Sequence, residues 1–358
     1  MTVMIASPSE VRFPKESPNG KDVNEGDIFL SFAIPTWNRC KELEVCLNSI
    51  VAEIGKSHAR CEVIISDNGS TDKTEDVLRK YSEKYNFIRF SRNEVNQGFD
   101  LNLLKVVENS RGKYVWLFSD DDIIAENSLG VVIRTLSDYD PNYMSVGYDQ
   151  GIIDDDGQFF ITKRDKILDF NLKGRSLLLS NITFTDLIRM ELHLFGFISI
   201  NIFKRSLIDV NPIKEKLSNL KEFTCIYMVA DATASGGGLI LPHICVHYRI
   251  DNWKGRVDDM VLIHELPIAM KFVMDEFHVK KSVQRWYFRK TRRYLFGFRG
   301  FVLTTLSLKI KGMEERLGQI DRNMLTPYRI AYLKLIYPLL PKHLLIFVAR
   351  RIMANRQF

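Results

Sequence analysis

Four short apolar runs in the first third of the chain each end in a polar segment whose side chains could bind a nucleotide, a sugar or a metal ion. These segments are residues 35–39 (PTWNR), 66–72 (SDNGSTD), 93–98 (NEVNQG) and 119–122 (SDDD). The last contains three consecutive carboxylates, and Mg²⁺ and Mn²⁺ prefer oxygen ligands of this kind. Helix caps also favour Asp, Asn and Ser, but caps predict one or two such ends rather than four in succession.

The segments around these polar ends alternate between strand and helix patterns. Apolar runs typical of buried strands occupy residues 28–35, 62–67, 87–90 and 113–118. Apolar residues at helical spacing mark residues 39–54, 71–85, 99–108 and 127–136. Such alternation predicts an α/β, Rossmann-like fold in which helices flank a mostly parallel sheet. Ligands bind such sheets outside the carboxyl ends of the strands, where all four polar segments lie.

The pattern is looser after residue 140. Strand patterns occur at residues 143–149, 158–162, 197–203 and 239–249. Residues 155–157 are typical of a hairpin turn, and residues 221–234 of a helix. The signal is helical from about residue 258. We therefore predict a flexible leader over residues 1–26, a catalytic domain over residues 27–255 and a helical basic region over residues 256–358.

Charge and cysteine usage restrict the environment in which the protein works. The net charge of the chain is +6, but residues 280–358 carry 18 Lys and Arg against three acids and are net +15, so the rest is net −9. Such a basic segment indicates an anionic partner. The five cysteines form no C-x-x-C pair, which argues against a disulfide framework or zinc site and fits a reducing compartment.

The ordered set IPTWNR, SDNGSTD, NQGFDLN and FSDDD resembles family 2 glycosyltransferases of the GT-A fold over residues 28–140. The later YRIDN, residues 248–252, is similar to bacterial O-antigen sugar transferases of the abequosyltransferase type. The resemblance implies transfer of a sugar from a nucleotide-diphosphate sugar to a hydroxyl of a saccharide acceptor, with inversion at the anomeric carbon. It places that reaction in bacterial surface polysaccharide synthesis.

The resemblance also implies which residues hold the donor and a Mg²⁺ or Mn²⁺ cofactor. Family members carry an Asp-x-Asp pattern whose first Asp falls here on Ser119, so the expected metal ligands are Asp121 and Asp122. Asp67 is expected to accept a hydrogen bond from the nucleobase, and the alternative is a turn cap. The full set of expected donor-binding residues is Pro35, Thr36, Asn38, Arg39, Asp67, Asn68, Asn96, Gly98, Asp120, Asp121 and Arg249.

An inverting transferase needs a carboxylate that takes the proton of the acceptor hydroxyl. The resemblance places this acid near the start of a helix after the acceptor-side strand, where the candidates are Glu222 and Asp231, with Glu191 as a third choice. His247 could reach the metal, although a structural histidine is the simpler interpretation. Arg249 could clamp a diphosphate, and Asp251 could bind an acceptor hydroxyl.

The basic C-terminal region combines charge with aromatic and apolar residues. Residues 285–299 (RWYFRKTRRYLFGFR) interleave Arg and Lys with aromatic rings, and two apolar segments within residues 328–351 are shorter than the ~20 residues that a membrane span needs. This composition predicts peripheral binding to an anionic membrane, on the cytoplasmic face, beside a lipid-linked acceptor. The alternative is a basic helical bundle.

Three other functions are alternatives to glycosyl transfer. A nucleotidyltransferase needs a Gly-rich phosphate loop after the first strand, and residues 34–38 contain no glycine. A nucleic-acid-binding protein would explain the basic tail but not the acidic strand ends, so we expect no nucleic-acid partner. A catalytically inactive scaffold that binds nucleotide sugars stays open because of Ser119. Self-association into a homo-oligomer also stays open.

Overall fold

The computed structural model describes residues 28–57, 60–153, 159–163, 179–190, 197–220, 222–249 and 266–294. The chain divides into two compact units, Met1–Arg256 and Val257–Phe358, and each is described by itself. The predicted leader, the turn at residues 155–157 and the predicted boundary at residues 255 and 256 lie outside the described residues. They stay predictions.

The first unit begins with the alternation of strands and helices that the sequence predicts. Its first elements are β1 (Leu30–Thr36), α1 (Cys40–Lys56), β2 (Cys61–Asp67), α2 (Thr74–Lys84), β3 (Ile88–Arg92), α3 (Phe99–Glu108) and β4 (Tyr114–Leu117). Strand β1 pairs in parallel with both β2 and β4, and β2 pairs in parallel with β3. All seven residues of β1 are buried, because helices cover both faces of a parallel sheet.

The remaining elements of this unit extend the same sheet. They are β5 (Ile123–Ile124), α4 (Ser128–Tyr139), β6 (Tyr143–Ile153), β7 (Phe159–Lys163), β8 (Leu179–Ile182), α5 (Phe184–Arg189), β9 (Asn201–Lys204), α6 (Val210–Lys214), α7 (Leu217–Leu220), α8 (Thr224–Ala234) and β10 (Gly238–Arg249). The strand order is β3-β2-β1-β4-β9-β6-β10-β5, with β7 on β6 and β8 on β10.

Strand β9 is antiparallel to both of its neighbours, β4 and β6, whereas β6 and β10 are parallel. Strands β1 to β4, β6 and β10 therefore all run in one direction, with β9 inserted in reverse. This arrangement confirms the predicted α/β class with a mostly parallel sheet. The short strands β5 and β8 and the helices α5 to α7 had not been predicted, because they contain too few residues to show a period.

An aromatic cluster joins the first half of the sheet to the second. The rings of Phe32 and Trp116 stack with centroids 5.1 Å apart, and Phe118 packs edge-on against both. The buried indole Nε1 of Trp116 donates a hydrogen bond of 2.7 Å to the carbonyl oxygen of Ser199, in the 3₁₀ turn before β9. The cluster thereby fixes this turn beside the end of β4.

A buried carboxylate orients the helix that follows the SDDD segment. Glu53 on α1 is 4% exposed and accepts hydrogen bonds from the backbone N–H groups of Asn127, at 2.9 Å, and Leu129, at 3.3 Å. These are N–H groups of the first turn of α4, which lack partners within the helix, and a negative charge is favoured there. Helix α1 therefore caps α4 across the SDDD segment.

In the second unit the structure describes two helices, α9 (Leu266–Glu276) and α10 (Lys281–Tyr294). They pack through buried Val273, Met274, Val283 and Tyr287. The amide of Gln284 donates to the carbonyl of Val279 and the carboxylate of Asp275, each at 2.9 Å, and closes the turn between the helices. Among the described residues, no helix is both long and apolar enough to cross a membrane.

Gly112, just before β4, has no room for a side chain. A Cβ atom there would lie 2.7 Å from the backbone nitrogen of Ser31 and 2.9 Å from the carbonyl carbon of Leu30. We expect Gly112→Ala to lower the free energy of unfolding by about 1–3 kcal/mol through overpacking. Urea unfolding measures this loss.

The matched control is Gly130→Ala on α4, where an added Cβ has no neighbour within 4 Å. Because alanine is favoured over glycine in a helix by up to about 1 kcal/mol, this variant should be neutral or slightly stabilised. Equal unfolding curves for the two variants would show that β1 and β4 do not approach each other as closely as described.

Candidate functional site

The four polar segments lie together at the carboxyl edge of the sheet. We call them the first loop (35–39), second loop (66–72), third loop (93–98) and fourth loop (119–122). The first and second loops interlock through Asn38, whose backbone N–H donates to Ser70 Oγ at 2.8 Å and whose Oδ1 accepts from the N–H of Thr71 at 2.7 Å. The left-handed φ of Asn38, 52°, is one that asparagine tolerates.

The side chain of Asn68 joins the second loop to the third. Its Nδ2 donates to Asn96 Oδ1 at 2.8 Å and to the carbonyl of Gly98 at 3.1 Å, while its Oδ1 accepts from Asn93 Nδ2 and from the N–H of Gln97, each at 2.9 Å. An amide has two donor hydrogens and two acceptor lone pairs, so Asn68 is fully occupied. Asn68 and Asn96 therefore shape the third loop.

Gly98 ends the third loop with a φ of 89°. A Cβ atom there would meet nothing within 4 Å. The glycine is therefore required by the backbone conformation, which other residues rarely adopt, rather than by a close approach of neighbouring atoms.

Asn102 lies beneath the loops and was not among the predicted site residues. This buried side chain donates to the carbonyl of Ser66 at 2.9 Å and to that of Thr36 at 3.5 Å, and so ties the ends of β2 and β1 together. It also accepts from Asn93 at 3.3 Å. An asparagine on the otherwise apolar face of α3 was the only signal for it in the sequence.

Asp67 closes β2 and is fully buried. Its Oδ1 accepts hydrogen bonds from the N–H of Ser70 at 3.0 Å and from Ser70 Oγ at 2.5 Å. Its Oδ2 lies 3.3 Å from a guanidinium nitrogen of Arg92 but accepts no hydrogen bond from the described residues. One oxygen is thus held as a turn cap, as the alternative interpretation predicts, while the other retains capacity for a ligand donor.

Asp120 and Asp121 in the fourth loop share one cation, the guanidinium of Arg39. The same Arg39 nitrogen donates to Asp120 Oδ1 at 2.9 Å and forms an ion pair with Asp121. The other oxygen of Asp120 accepts from Thr36 Oγ1 at 2.7 Å, and Asp121 accepts from Ser119 Oγ at 2.6 Å. These contacts therefore join Thr36, Arg39, Asp120 and Asp121 in one contiguous cluster.

Burial and the neighbouring carboxylate raise the cost of ionising Asp120. Burial raises the pKa of Asp120 to about 7, with Arg39 opposing the shift and Asp121 adding to it. Burial alone would lower the pKa of Arg39, but the two carboxylates outweigh it and raise that pKa above its usual value. The cluster therefore favours a bound cation.

Asp122 connects the fourth loop to the second half of the sheet. It is fully buried, and its two oxygens accept from Ser199 Oγ at 2.5 Å and from the backbone N–H of Arg249, the last residue of β10, at 3.3 Å. Burial, and then the charge of Asp121, raises its pKa well above the usual value. Ser199 also accepts from the N–H of Ser119 at 2.9 Å, a role that had not been predicted.

The donor set fits a divalent cation that shares its coordination with phosphate oxygens. Mg²⁺ is usually held by one or two carboxylates plus substrate phosphates, and among the described residues no group of three acidic, His or Cys side chains is placed to hold a metal alone. Asp121 is the most accessible of the three carboxylates, at 13% side-chain exposure. Asp122 is less accessible because Ser199 and Arg249 occupy its oxygens.

The two described candidates for the acid that acts on the acceptor lie at opposite ends of α8. The carboxylate of Asp100, next to the third loop, accepts from the N–H of Glu222 at 2.6 Å and from Thr224 Oγ1 at 2.6 Å. The exposed Glu222 is therefore close to the third loop. Asp231 lies seven residues past Thr224, about 10 Å along the helix axis, toward the amino edge of the sheet. Burial raises its pKa, against the influence of Lys216.

The end of β10 brings Arg249 to the site through its backbone, as described above. The half-buried His247 is in register with Asp149 on β6. Burial lowers the pKa of His247, and Asp149 opposes that shift. The candidates Glu191 and Asp251 lie outside the described residues.

Comparison with known proteins agrees with this geometry. Residues 31–194 match the family described as Glycosyl transferase family 2, and this match spans all four loops. The chain is 43% identical over 106 residues to abequosyltransferase RfbV of Salmonella typhimurium, a match that covers 29% of this chain and 32% of that protein. It is 30% identical over 105 residues to the uncharacterized glycosyltransferase MG060 of Mycoplasma genitalium, covering 28% of this chain and 35% of the relative.

The fold has a counterpart among solved structures. The crystal structure of S. aureus TarS aligns with 83% of this chain and 50% of its own length, with a TM-score of 0.52 and 15% identity. The family match identifies residues 31–194 as a family 2 glycosyltransferase domain, and the likeness to TarS supports the fold alone. The matches span about a third of the length of the curated relatives.

Proposed function

We propose that this protein is a glycosyltransferase that moves a sugar from a nucleotide-diphosphate sugar to a hydroxyl of a saccharide acceptor. The observation that carries the proposal is the hydrogen-bonded array of four loops, which ends in the Arg39–Asp120–Asp121 cluster, inside a family 2 domain. This array combines acceptors for a nucleobase with charges for a diphosphate at one edge of the sheet.

The donor half of the site divides into base recognition and phosphate binding. Asp67 Oδ2 accepts an N–H donor of the base, because the other oxygen is held by Ser70. The guanidinium of Arg39 would bind the departing diphosphate, and Asp121 and Asp122 would hold a Mg²⁺ or Mn²⁺ cofactor. When bound, the metal supplies positive charge that stabilises the leaving group.

The acceptor half is placed at the start of α8. A carboxylate there takes the proton of the acceptor hydroxyl, whose oxygen forms a bond to the anomeric carbon as the bond to the diphosphate oxygen breaks. Attack from the face opposite the leaving group inverts the anomeric centre. Glu222 is the candidate that Asp100 holds beside the third loop; Asp231 lies farther along α8.

The acceptor class is proposed from the relatives. The matched abequosyltransferase of Salmonella typhimurium is named for the transfer of abequose. We infer that this protein acts on a saccharide of a bacterial surface polysaccharide such as O-antigen. A lipid-linked acceptor would bring the reaction to a membrane surface, where the second unit of this chain becomes relevant.

Turnover tests the proposal. A panel of nucleotide-diphosphate sugars is incubated with the protein and saccharide acceptors, and release of the nucleoside diphosphate is measured with and without Mn²⁺. We expect metal-dependent turnover, which Asp121→Asn lowers by about 100-fold or more, because a group that stabilises developing charge contributes on that scale.

The matched control is Asp138→Asn on the exposed side of α4, which should keep parental turnover. Binding of nucleotide sugars without turnover of any acceptor would favour the inactive scaffold. Full activity of Asp121→Asn would contradict the role of this carboxylate.

Nucleobase recognition is tested separately by Asp67→Asn. An asparagine can still accept from Ser70 through its oxygen, but it presents an NH₂ group where the free carboxylate oxygen stood. We expect weaker nucleoside-diphosphate binding by about 1.5–3 kcal/mol, the contribution of a hydrogen bond to a charged group, measured by calorimetry. Unchanged affinity with an unchanged fold would exclude Asp67 as the base contact.

We further propose that helix α10 binds an anionic membrane, which would place the enzyme in the cytoplasm, peripheral on the inner face of the cell membrane. The helix contains six Lys and Arg and no acid. One side of α10 exposes Lys281, Arg285, Trp286 and Arg289. The other side buries Val283 and Tyr287. Lys290 Nζ lies 5.1 Å from the ring centre of Trp286. A basic face with an exposed tryptophan suits the membrane interface.

Vesicle binding tests this surface. Each Lys or Arg near an anionic leaflet contributes about 1 kcal/mol, so Arg285→Ala with Arg289→Ala should weaken binding to phosphatidylserine vesicles by about 30-fold. The control pair, Lys84→Ala with Arg134→Ala, removes the same charge from the first unit and should bind as the parent does. Equal binding by both pairs, or equal binding to neutral vesicles, would contradict the proposal.

A further inference from the structure

A polar cavity of about 340 Å³ lies at the amino edge of the sheet, away from the four loops. It is lined by Arg89, Glu108, Asn109, Ser110, Arg111 and Arg205. Residues 110 and 111 precede β4, and Arg205 follows the reversed strand β9. Because the four loops lie at the other end of these strands, the length of β1 separates the two places by about 20 Å. We call this site the arginine cavity.

Two of its three arginines are held rigidly. Arg89 donates through one terminal nitrogen to Glu62 Oε2 at 2.8 Å and to the carbonyl of Asn109 at 3.4 Å. Arg205 donates to the carbonyls of Ser110 at 3.3 Å, Ile208 at 3.0 Å and Glu108 at 3.4 Å. Both satisfy carbonyl groups near the end of α3, where cations are favoured, so helix capping accounts for these two arginines.

Helix capping does not account for Arg111. Its backbone N–H donates to Glu62 Oε1 at 2.7 Å, which fixes its main chain at the wall of the cavity. Its exposed side chain makes no hydrogen bond or ion pair with any residue in the described part of the chain. All five N–H donors of this guanidinium are therefore available to a ligand.

The charges around the cavity do not balance. The buried Glu62 pairs with Arg89, and the exposed Glu108 lies 3.4 Å from Lys214 Nζ. Arg111 and Arg205 have no carboxylate partner among the described residues, so the lining has a net charge of +2. Cations that line one cavity repel each other, and an anion between them would reduce the repulsion.

We propose that the arginine cavity binds a phosphate group, either as free phosphate or as a phosphomonoester. Guanidinium groups present paired N–H donors that match the oxygens of phosphate, and a phosphate dianion neutralises the two unmatched charges. Two of the arginines are already fixed by protein contacts, so little side-chain freedom is lost on binding. The site is independent of the proposed sugar transfer, since none of its lining residues belongs to the four loops.

Calorimetric titration of the full chain with inorganic phosphate, at physiological salt, tests the site. We expect Arg111→Ala to weaken phosphate binding at least tenfold. Arg111→Lys keeps the positive charge but loses the paired N–H donors of the guanidinium, so it should weaken binding less. The matched control Arg134→Ala, an exposed arginine of α4, should bind as the parent does.

Parallel titrations distinguish the sources of the phosphate group. Glycerol 3-phosphate that binds more tightly than inorganic phosphate, with the same dependence on Arg111, assigns the site to a phosphomonoester such as a lipid-derived headgroup. The reverse order assigns it to free phosphate. Absence of binding for both probes, or equal affinity in Arg111→Ala and the parent, overturns the proposal.

Discussion

The site depends on partners that stabilise three consecutive carboxylates at a strand end that is almost closed to water. Asp120 shares the guanidinium of Arg39 with Asp121, and Asp122 is held by Ser199 and the backbone of Arg249. Charges this close in a medium of low polarity need partners from outside their own loop. Those partners come from the ends of β1 and β10 and from the turn before β9, so the cluster draws three separate parts of the sheet to one point.

This constraint explains why the polar network is almost continuous. Thr36 binds Asp120 through its hydroxyl, and its carbonyl accepts from the N–H of Asn68, whose side chain in turn orders the third loop. A substitution in any one loop therefore affects its neighbours through shared hydrogen bonds. Networks of this kind are strong when every member is satisfied and costly when one is lost.

The sequence allowed prediction of the first half of the fold and of the four loops, because βαβ alternation has a clear period and each loop follows a recognisable strand. It did not allow prediction of Ser199 or Asn102. Ser199 reaches the site only because the short strand β9 inserts between β4 and β6, and a four-residue strand has no detectable period. Roles that depend on pairing between distant segments are not encoded locally.

The reversed strand β9 also has a consequence for the order of assembly during synthesis. Strand β4 pairs with β1 across about 84 residues, but its other edge pairs with β9, so that Tyr114 meets Lys204, 90 residues later in the chain. The nascent chain therefore carries an unpaired, apolar edge until residues near 201 leave the ribosome, and such edges invite wrong partners. Since Ser199 arrives with β9, the binding loops can form before the buried carboxylate Asp122 acquires its hydroxyl partner.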